Sequence, residues 1–228
     1  ETVFTRKLHD TARLQPQRVV YAEGGHPSMM KAAVQAKAEG ICFPILLGNP
    51  DRINRQAQRL KLDLSGIEII DMRADKEQGR RATYAKHLAE KLARKGYTFQ
   101  EAYDKMYERN YFGMMMVERG DADAFITGLY TKYSNTIKVA TEGVGVREGY
   151  HTFGTMHIVN SQKGTYFIAD TLINRHPDNN FLVDIARLSA NTVEFFNEKP
   201  VMAMISYSNF GTDEIGSPLK VHEAVEEL

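Results

Sequence analysis

Cysteine is nearly missing: Cys42 is the only one in 228 residues. A single thiol excludes an intramolecular disulfide framework and a cysteine-based zinc site. An excess of either charge is missing too. Lys plus Arg and Asp plus Glu each number 29, a formal net charge of zero. A nucleic-acid binder usually carries a basic excess, and a polybasic membrane anchor needs one. No apolar run is long. The longest, Ile41 to Leu47, falls far short of the roughly 20 residues that span a bilayer. Residues Glu1 to Gln15 are charged and polar, unlike a secretory leader. Internal repeats, low-complexity segments and an obvious linker are missing as well. These absences leave a soluble protein of a reducing compartment as the expectation, cytoplasmic, with neither nucleic acid nor membrane as a partner.

What is present is an alternation of short apolar runs with longer amphipathic stretches. The pattern predicts strands over Arg18–Ala22, Pro44–Leu47, Ile67–Ile70 and Ala124–Thr127. Helices fall between them. Pro27 suits the first position of one, which runs to about Glu39. Lys76 to Arg94 has helical spacing at Ala82, Ala85, Leu88, Ala89 and Leu92, with Arg80 and Arg81 expected on its solvated face. Thr98 with Glu101 forms a capping-box signature for the helix through Tyr103 and Met106. Such alternation predicts an α/β fold, a doubly wound and mostly parallel sheet with helices on both faces.

The pattern changes after about Val146. Thr152–Val159 and Thr165–Ala169 read as a hairpin joined by residues 160–164. Asp178 caps a helix, Val201–Ser206 reads as a further strand, and Gly216-Ser217-Pro218 opens a last helix. That helix is still running at Leu228. The expected division is a first α/β subdomain over residues 1–146 and a second over 147–228, incomplete at its C-terminus.

Ligands of open α/β sheets bind beyond the carboxyl ends of the strands. Three loops meet that condition. Glu23-Gly24-Gly25-His26-Pro27 offers glycines for close backbone approach and a helix N-terminus for an anion. Thr127 to Ser134 offers the hydroxyls of Thr131 and Ser134 beside Gly128, with Lys138 one turn on, a set suited to phosphate oxygens. Ser206 to Thr212 is a polar, glycine-containing run directly after an apolar strand. Asp170 and Asn174 follow the hairpin and either point into a cleft or cap the next turn. Each loop alone is also an ordinary βα turn or N-cap. Gly143 to Gly149 follows a helix and lacks the dinucleotide fingerprint, and His151 and His157 have no diagnostic metal spacing. Tyr111, Phe112 and Met114 to Met116 read as core or as subunit interface.

At these loops a resemblance emerges. Arg18 to Gly24, Gly120 to Gly128, Phe167 to Thr171 and Ser206-Tyr207-Ser208 resemble, in order, segments of the phosphate acetyl/butyryltransferase family. Ser208 to Gly211, Arg147 to Thr152 and Phe167 to Asn174 are similar to the form found in the C-terminal domain of large NADP-dependent malic enzymes. The resemblance implies two α/β subdomains around a cleft, of isocitrate/isopropylmalate dehydrogenase-like architecture, in a homo-oligomer. It implies a domain that binds acetyl-CoA or CoA and regulates malate oxidation carried out by other domains of the parent enzyme. NADP and a divalent metal are expected in those domains, and no cofactor or metal in this one. The alternative is an active phosphate acetyl/butyryltransferase, moving an acyl group between CoA and phosphate. A dehydrogenase of the related architecture is opposed by the lack of metal-binding aspartates. The implied ligand residues are Gly128, Thr131, Ser134, Lys138, Asp170, Asn174, Ser206, Ser208, Asn209 and Gly211. Lys138 stands where active transferases carry arginine, exchanging a bidentate fork for a point charge. The family's catalytic Ser-Arg pair and following Asp correspond to no residue here, so catalytic residues are left unassigned.

Overall fold

A strand buried on both faces reads as a continuous apolar run, and Cys42–Leu47 is such a run. In the computed structural model, which describes residues 2–209 and 212–228, this strand (β2) lies inside a four-stranded parallel sheet. Its neighbours are Gln17–Tyr21 (β1) and Glu68–Ile70 (β3). Ala124–Ile126 (β4) pairs with the other edge of β1, giving the order β3-β2-β1-β4.

Alternation along β2 separates two cores. Ile45 and Leu47 face a core with Val20, Ile70, Tyr84, Leu88, Phe112, Met115 and Met116. Val20 and Ile70 come from β1 and β3, Tyr84 and Leu88 from the helix Gln78–Lys91 (α4), and the rest from Arg109–Glu118 (α6); Ala102 of Phe99–Lys105 (α5) and Val139 of Tyr133–Gly143 (α7) join them. Leu46 faces the opposite core, with Met30 and Ala33 of Pro27–Ala38 (α2) and Ile53 and Ala57 of Pro50–Leu60 (α3). Helices cover both faces of the sheet, so the expected α/β class and doubly wound parallel sheet are what the chain adopts. The Tyr111 to Met116 stripe is spent in this core and supplies no argument for self-association.

Local signals place these helices. Pro27 and Pro50 stand at first helical positions behind the N-caps His26 and Asn49. Thr98 and Glu101 close the reciprocal capping box of α5. Arg81 departs from expectation. It is 3% exposed, and its guanidinium donates to the Met72 and Ala74 carbonyls at 2.6 and 2.8 Å. It also stacks 4.6 Å from the centre of the Tyr107 ring. The carbonyls of the turn after β3 need donors, and a helical arginine one turn in supplies them.

The chain divides into two compact units. The larger is His9–Gly145; the smaller is Val146–Leu228 with the N-terminal residues up to Leu8. The helix Val3–Leu14 (α1) enters the smaller unit through Phe4, whose ring meets Phe167 and Phe196 edge-on at 5.8 and 5.7 Å. The rest of the smaller unit is the antiparallel hairpin Met156–Ser161 (β5) and Gly164–Ala169 (β6) with helices Asn179–Phe195 (α8) and Ser217–Glu227 (α9). Asp178 caps α8 by accepting from the Phe181 amide at 2.8 Å.

Two expectations need correction here. The hairpin turns on Gln162-Lys163 alone, because Ser161 pairs with Gly164, whose φ of +140° suits glycine. Val201–Ser206 is no strand: among the described residues no backbone hydrogen bond joins it to a neighbour. Apolar alternation makes a segment β-capable, but a strand needs a ladder, and β5 and β6 pair with each other. Val201 and Ile205 stay 90% and 88% exposed. Among the described residues no helix is long and apolar enough to cross a membrane.

Candidate functional site

β2 and β4 lie on opposite sides of β1, so the strand order reverses there. A crevice is expected at the carboxyl ends of β1 and β4. Glu23 follows β1 and is 2% exposed. Its Oε1 accepts from the Gly128 amide at 3.2 Å and lies 3.1 Å from Thr127 Oγ1. Thr127 Oγ1 also lies 2.9 Å from Asn110 Oδ1, and the Asn110 amide donates to Thr131 Oγ1 at 3.2 Å. One buried carboxylate thus ties the ends of β1 and β4 to the first turn of α6. Its second oxygen, Oε2, has no hydrogen-bond partner among the described residues.

Around this tie lies an open pocket of about 1110 Å³. Its floor is the ends of β1, β2 and β3, and its walls are the α5–α6 junction and the start of α7. Arg52, Arg73, Lys105, Arg109 and Lys138 line it. Tyr130 closes one side, edge-on to His26 at 5.4 Å and beneath the Arg109 guanidinium at 5.5 Å. Basic groups on a low-dielectric wall favour an anionic ligand.

Gly24 and Gly25 both line this pocket, and Gly24 has a further duty. A Cβ on Gly24 would sit 2.7 Å from the Leu47 carbonyl oxygen, to which the Gly24 amide hydrogen-bonds at 3.1 Å. Strand packing, rather than a ligand, requires glycine there.

Of the residues singled out from the sequence, Thr131 and Lys138 line the pocket. Gly128 stands beside it with φ +139°, its amide committed to Glu23. Ser134, exposed in the first turn of α7, is not among the lining residues. Lys138 reaches out from α7, 60% exposed, 3.8 Å from Glu142 Oε1. Sequence reasoning missed Arg52, Arg73, Lys105, Arg109 and Asn110. The one local signal was the break between α5 and α6, which ends one helix at Lys105 and starts the next at Arg109.

The remaining candidates belong to the smaller unit. Asp170 has a left-handed backbone, φ +55°, and accepts from the Asn174 side chain at 2.7 Å. Asn174 also reaches the Phe153 carbonyl at 3.4 Å. These two residues therefore brace a turn. Ser206 Oγ accepts from the Ser208 amide at 3.3 Å, while the buried Ser208 Oγ has no partner among the described residues. The Asn209 carbonyl accepts from the Thr212 amide at 3.1 Å. Gly211 lies outside the described residues. His151 and His157 are both exposed; His151 Nδ1 is 3.5 Å from Asp184.

Known proteins share this fold. A phosphotransacetylase from Staphylococcus aureus superposes with a TM-score of 0.85 at 28% identity, covering 98% of this chain and 67% of that one. The NADP-dependent malic enzyme of Escherichia coli K12 is 32% identical over 228 residues, 98% of this chain and 30% of that protein. The phosphate acetyltransferase of Salmonella typhimurium is 33% identical over 223 residues, 97% of this chain and 30% of that protein. The chain thus spans about 30% of the length of these two curated relatives. The family profile described as phosphate acetyl/butaryl transferase matches residues 3–228. A match running through both units, on a fold that the solved Staphylococcus aureus phosphotransacetylase shares, means that the chain belongs to the phosphate acetyl/butaryl transferase family.

Proposed function

We propose that this chain is an acetyl-CoA-binding, regulatory domain of a longer NADP-dependent malic enzyme. The supporting observation is a cation-lined crevice at the sheet's switch point, in a chain similar to malic enzymes over 98% of its length. Coenzyme A thioesters are polyanions, and Lys138 meets a ligand phosphate as a point charge. Malate oxidation, with its NADP and divalent metal, falls to the rest of such a protein. The ligand shifts that activity by binding one conformation of the whole enzyme more tightly than another, since equal affinity shifts nothing.

A second reading, an active phosphate acetyltransferase, is favoured by the 33% identity to the Salmonella typhimurium transferase over 97% of the chain. Calorimetry with acetyl-CoA, followed by an assay of phosphate-dependent acetyl-CoA turnover, separates the two. Binding with negligible turnover is the expected result. Turnover at roughly 1–1,000 per second makes the chain a transferase. Neither heat nor thermal shift at millimolar acetyl-CoA removes both readings.

A further inference from the structure

We infer that Lys105 is a second cation for the phosphoryl groups of the ligand in the larger unit's crevice, held for that role by Tyr111 and the buried carboxylate of Glu142. The inference rests on the proposal that this crevice takes a phosphate-bearing acyl carrier.

Lys105 and Lys138 both line the pocket, and both are organised by one acid. Glu142 is 7% exposed. It accepts from Tyr111 Oη at 2.5 Å and from Tyr97 Oη at 3.3 Å, and Lys138 Nζ stands 3.8 Å away. Both tyrosines therefore commit their single hydroxyl proton to a hydrogen bond with Glu142, and each turns a ring face toward Lys105. The Lys105 ammonium lies 4.4 Å from the centre of the Tyr111 ring and 5.4 Å from that of Tyr97, and it donates to Tyr111 Oη at 3.2 Å. Burial, reinforced by Glu142, pushes the Tyr111 hydroxyl well above its ordinary titration range, so it remains a donor.

Among the described residues Lys105 forms no ion pair. On this wall Lys105 and Arg109 stand beside Glu108, with Lys138 projecting from α7, and the Lys105 charge also acts on Glu101 one turn back along α5. Lys105 has three protons to donate and Tyr111 accepts one. A solvated surface lysine loses rotamer freedom when it binds, whereas this one is already ordered on two rings. A cation so prepared, lining a crevice, is placed for phosphoryl oxygens, which are either those of coenzyme A or those of free phosphate.

The test is calorimetry on the wild-type chain, Lys105→Met and Lys105→Arg, with coenzyme A, dephospho-coenzyme A and inorganic phosphate as probes. Lys105→Met keeps an unbranched stem against both rings, so its melting temperature is expected to stay near wild type. If it proves unstable, Lys105→Gln, which retains a donor to Tyr111, carries the same comparison. The expected result is about 10- to 100-fold weaker coenzyme A binding in Lys105→Met, the range of a charge-assisted hydrogen bond, with substantial recovery in Lys105→Arg. Equal loss with inorganic phosphate assigns the site to free phosphate. Loss with coenzyme A alone assigns it to the 3′-phosphate that dephospho-coenzyme A lacks. Unchanged affinity for all three probes in a folded Lys105→Met overturns the role of Lys105 and leaves the functional reading standing. A wild-type chain that binds none of them overturns that reading and this inference together.

Discussion

Arg81 has two carbonyl acceptors and a tyrosine face, so it acts as a keystone of the turn after β3 rather than as a solubilising charge. Replacing it by methionine keeps much of the volume and strands the Met72 and Ala74 carbonyls. The expected cost is about 2–4 kcal/mol, from charge-assisted bonds lost and acceptors left buried. A denaturant midpoint measures it, and a change under about 0.5 kcal/mol, the usual range for surface substitutions, would contradict the role. Lys138 is the opposite case. It is exposed and, among the described residues, tied only to Glu142, one turn away on the same helix. Lys138→Glu should leave the fold nearly intact, costing about 0.2–0.5 kcal/mol through the new like-charge pair. It should weaken coenzyme A binding by more than about tenfold, the equivalent of one charge-assisted contact. In the intact parent protein the same change should leave basal malate oxidation in place and abolish its response to acetyl-CoA. An unaltered half-maximal acetyl-CoA concentration would take Lys138 out of the site.

At the scale of elements, short α5 carries Lys105 into the pocket, and what fixes α5 is its cap. Thr98 Oγ1 accepts from the Glu101 amide at 3.2 Å, and Glu101 accepts from the Thr98 amide at 2.8 Å. Seven residues make few helical bonds of their own, so such a helix is marginal without its ends satisfied. Thr98→Ala is expected to cost about 1 kcal/mol, read from a melting curve. β1 offers a second test. Gly24→Ala would press a methyl against the Leu47 carbonyl oxygen, backbone that yields only if β1 and β2 separate. A loss of about 1–3 kcal/mol is expected. A variant as stable as wild type would mean that the loop after β1 had shifted, which a crystal structure would reveal.

For the whole molecule, acid is the informative variable. The Thr98 amide and hydroxyl hold the Glu101 carboxyl below its ordinary value, and Arg18 does the same for Asp123 by side-chain and backbone hydrogen bonds. A carboxyl depressed in the fold adds stability above its unfolded value, and that contribution disappears as pH falls through the folded value. Melting temperature should therefore drop on acidification below about pH 4, the ordinary carboxylate range. Asp123→Asn should show a shallower acid limb, and parallel curves for variant and wild type would remove Asp123 as a cause. Ligand acts in the other direction. Acetyl-CoA at 100 times its dissociation constant should stabilise the folded chain by about 2.7 kcal/mol, a shift that Lys138→Glu should suppress at the same ligand concentration.

The sequence alone determined what depends on near neighbours. Period and punctuation gave the alternating strands and helices, Pro27 and Asp178 marked helix starts, and Thr98 with Glu101 marked a capping box. Four ordered segments carried the family, because strand ends and their glycines are local in sequence. Tertiary structure alone decided which of two adjacent arginines is buried, since Arg80 and Arg81 differ only in which face of α4 meets the turn after β3. It also decided that Val201–Ser206 has no ladder, because pairing is a property of two segments and the pattern describes one. The pocket is of the same kind. Lys105, Tyr111 and Glu142 sit on three helices, and no spacing along the chain announces that two rings and a buried carboxylate will hold one lysine in place. Local order follows from local chemistry, whereas a site built across helices exists only once long-range packing has closed around it.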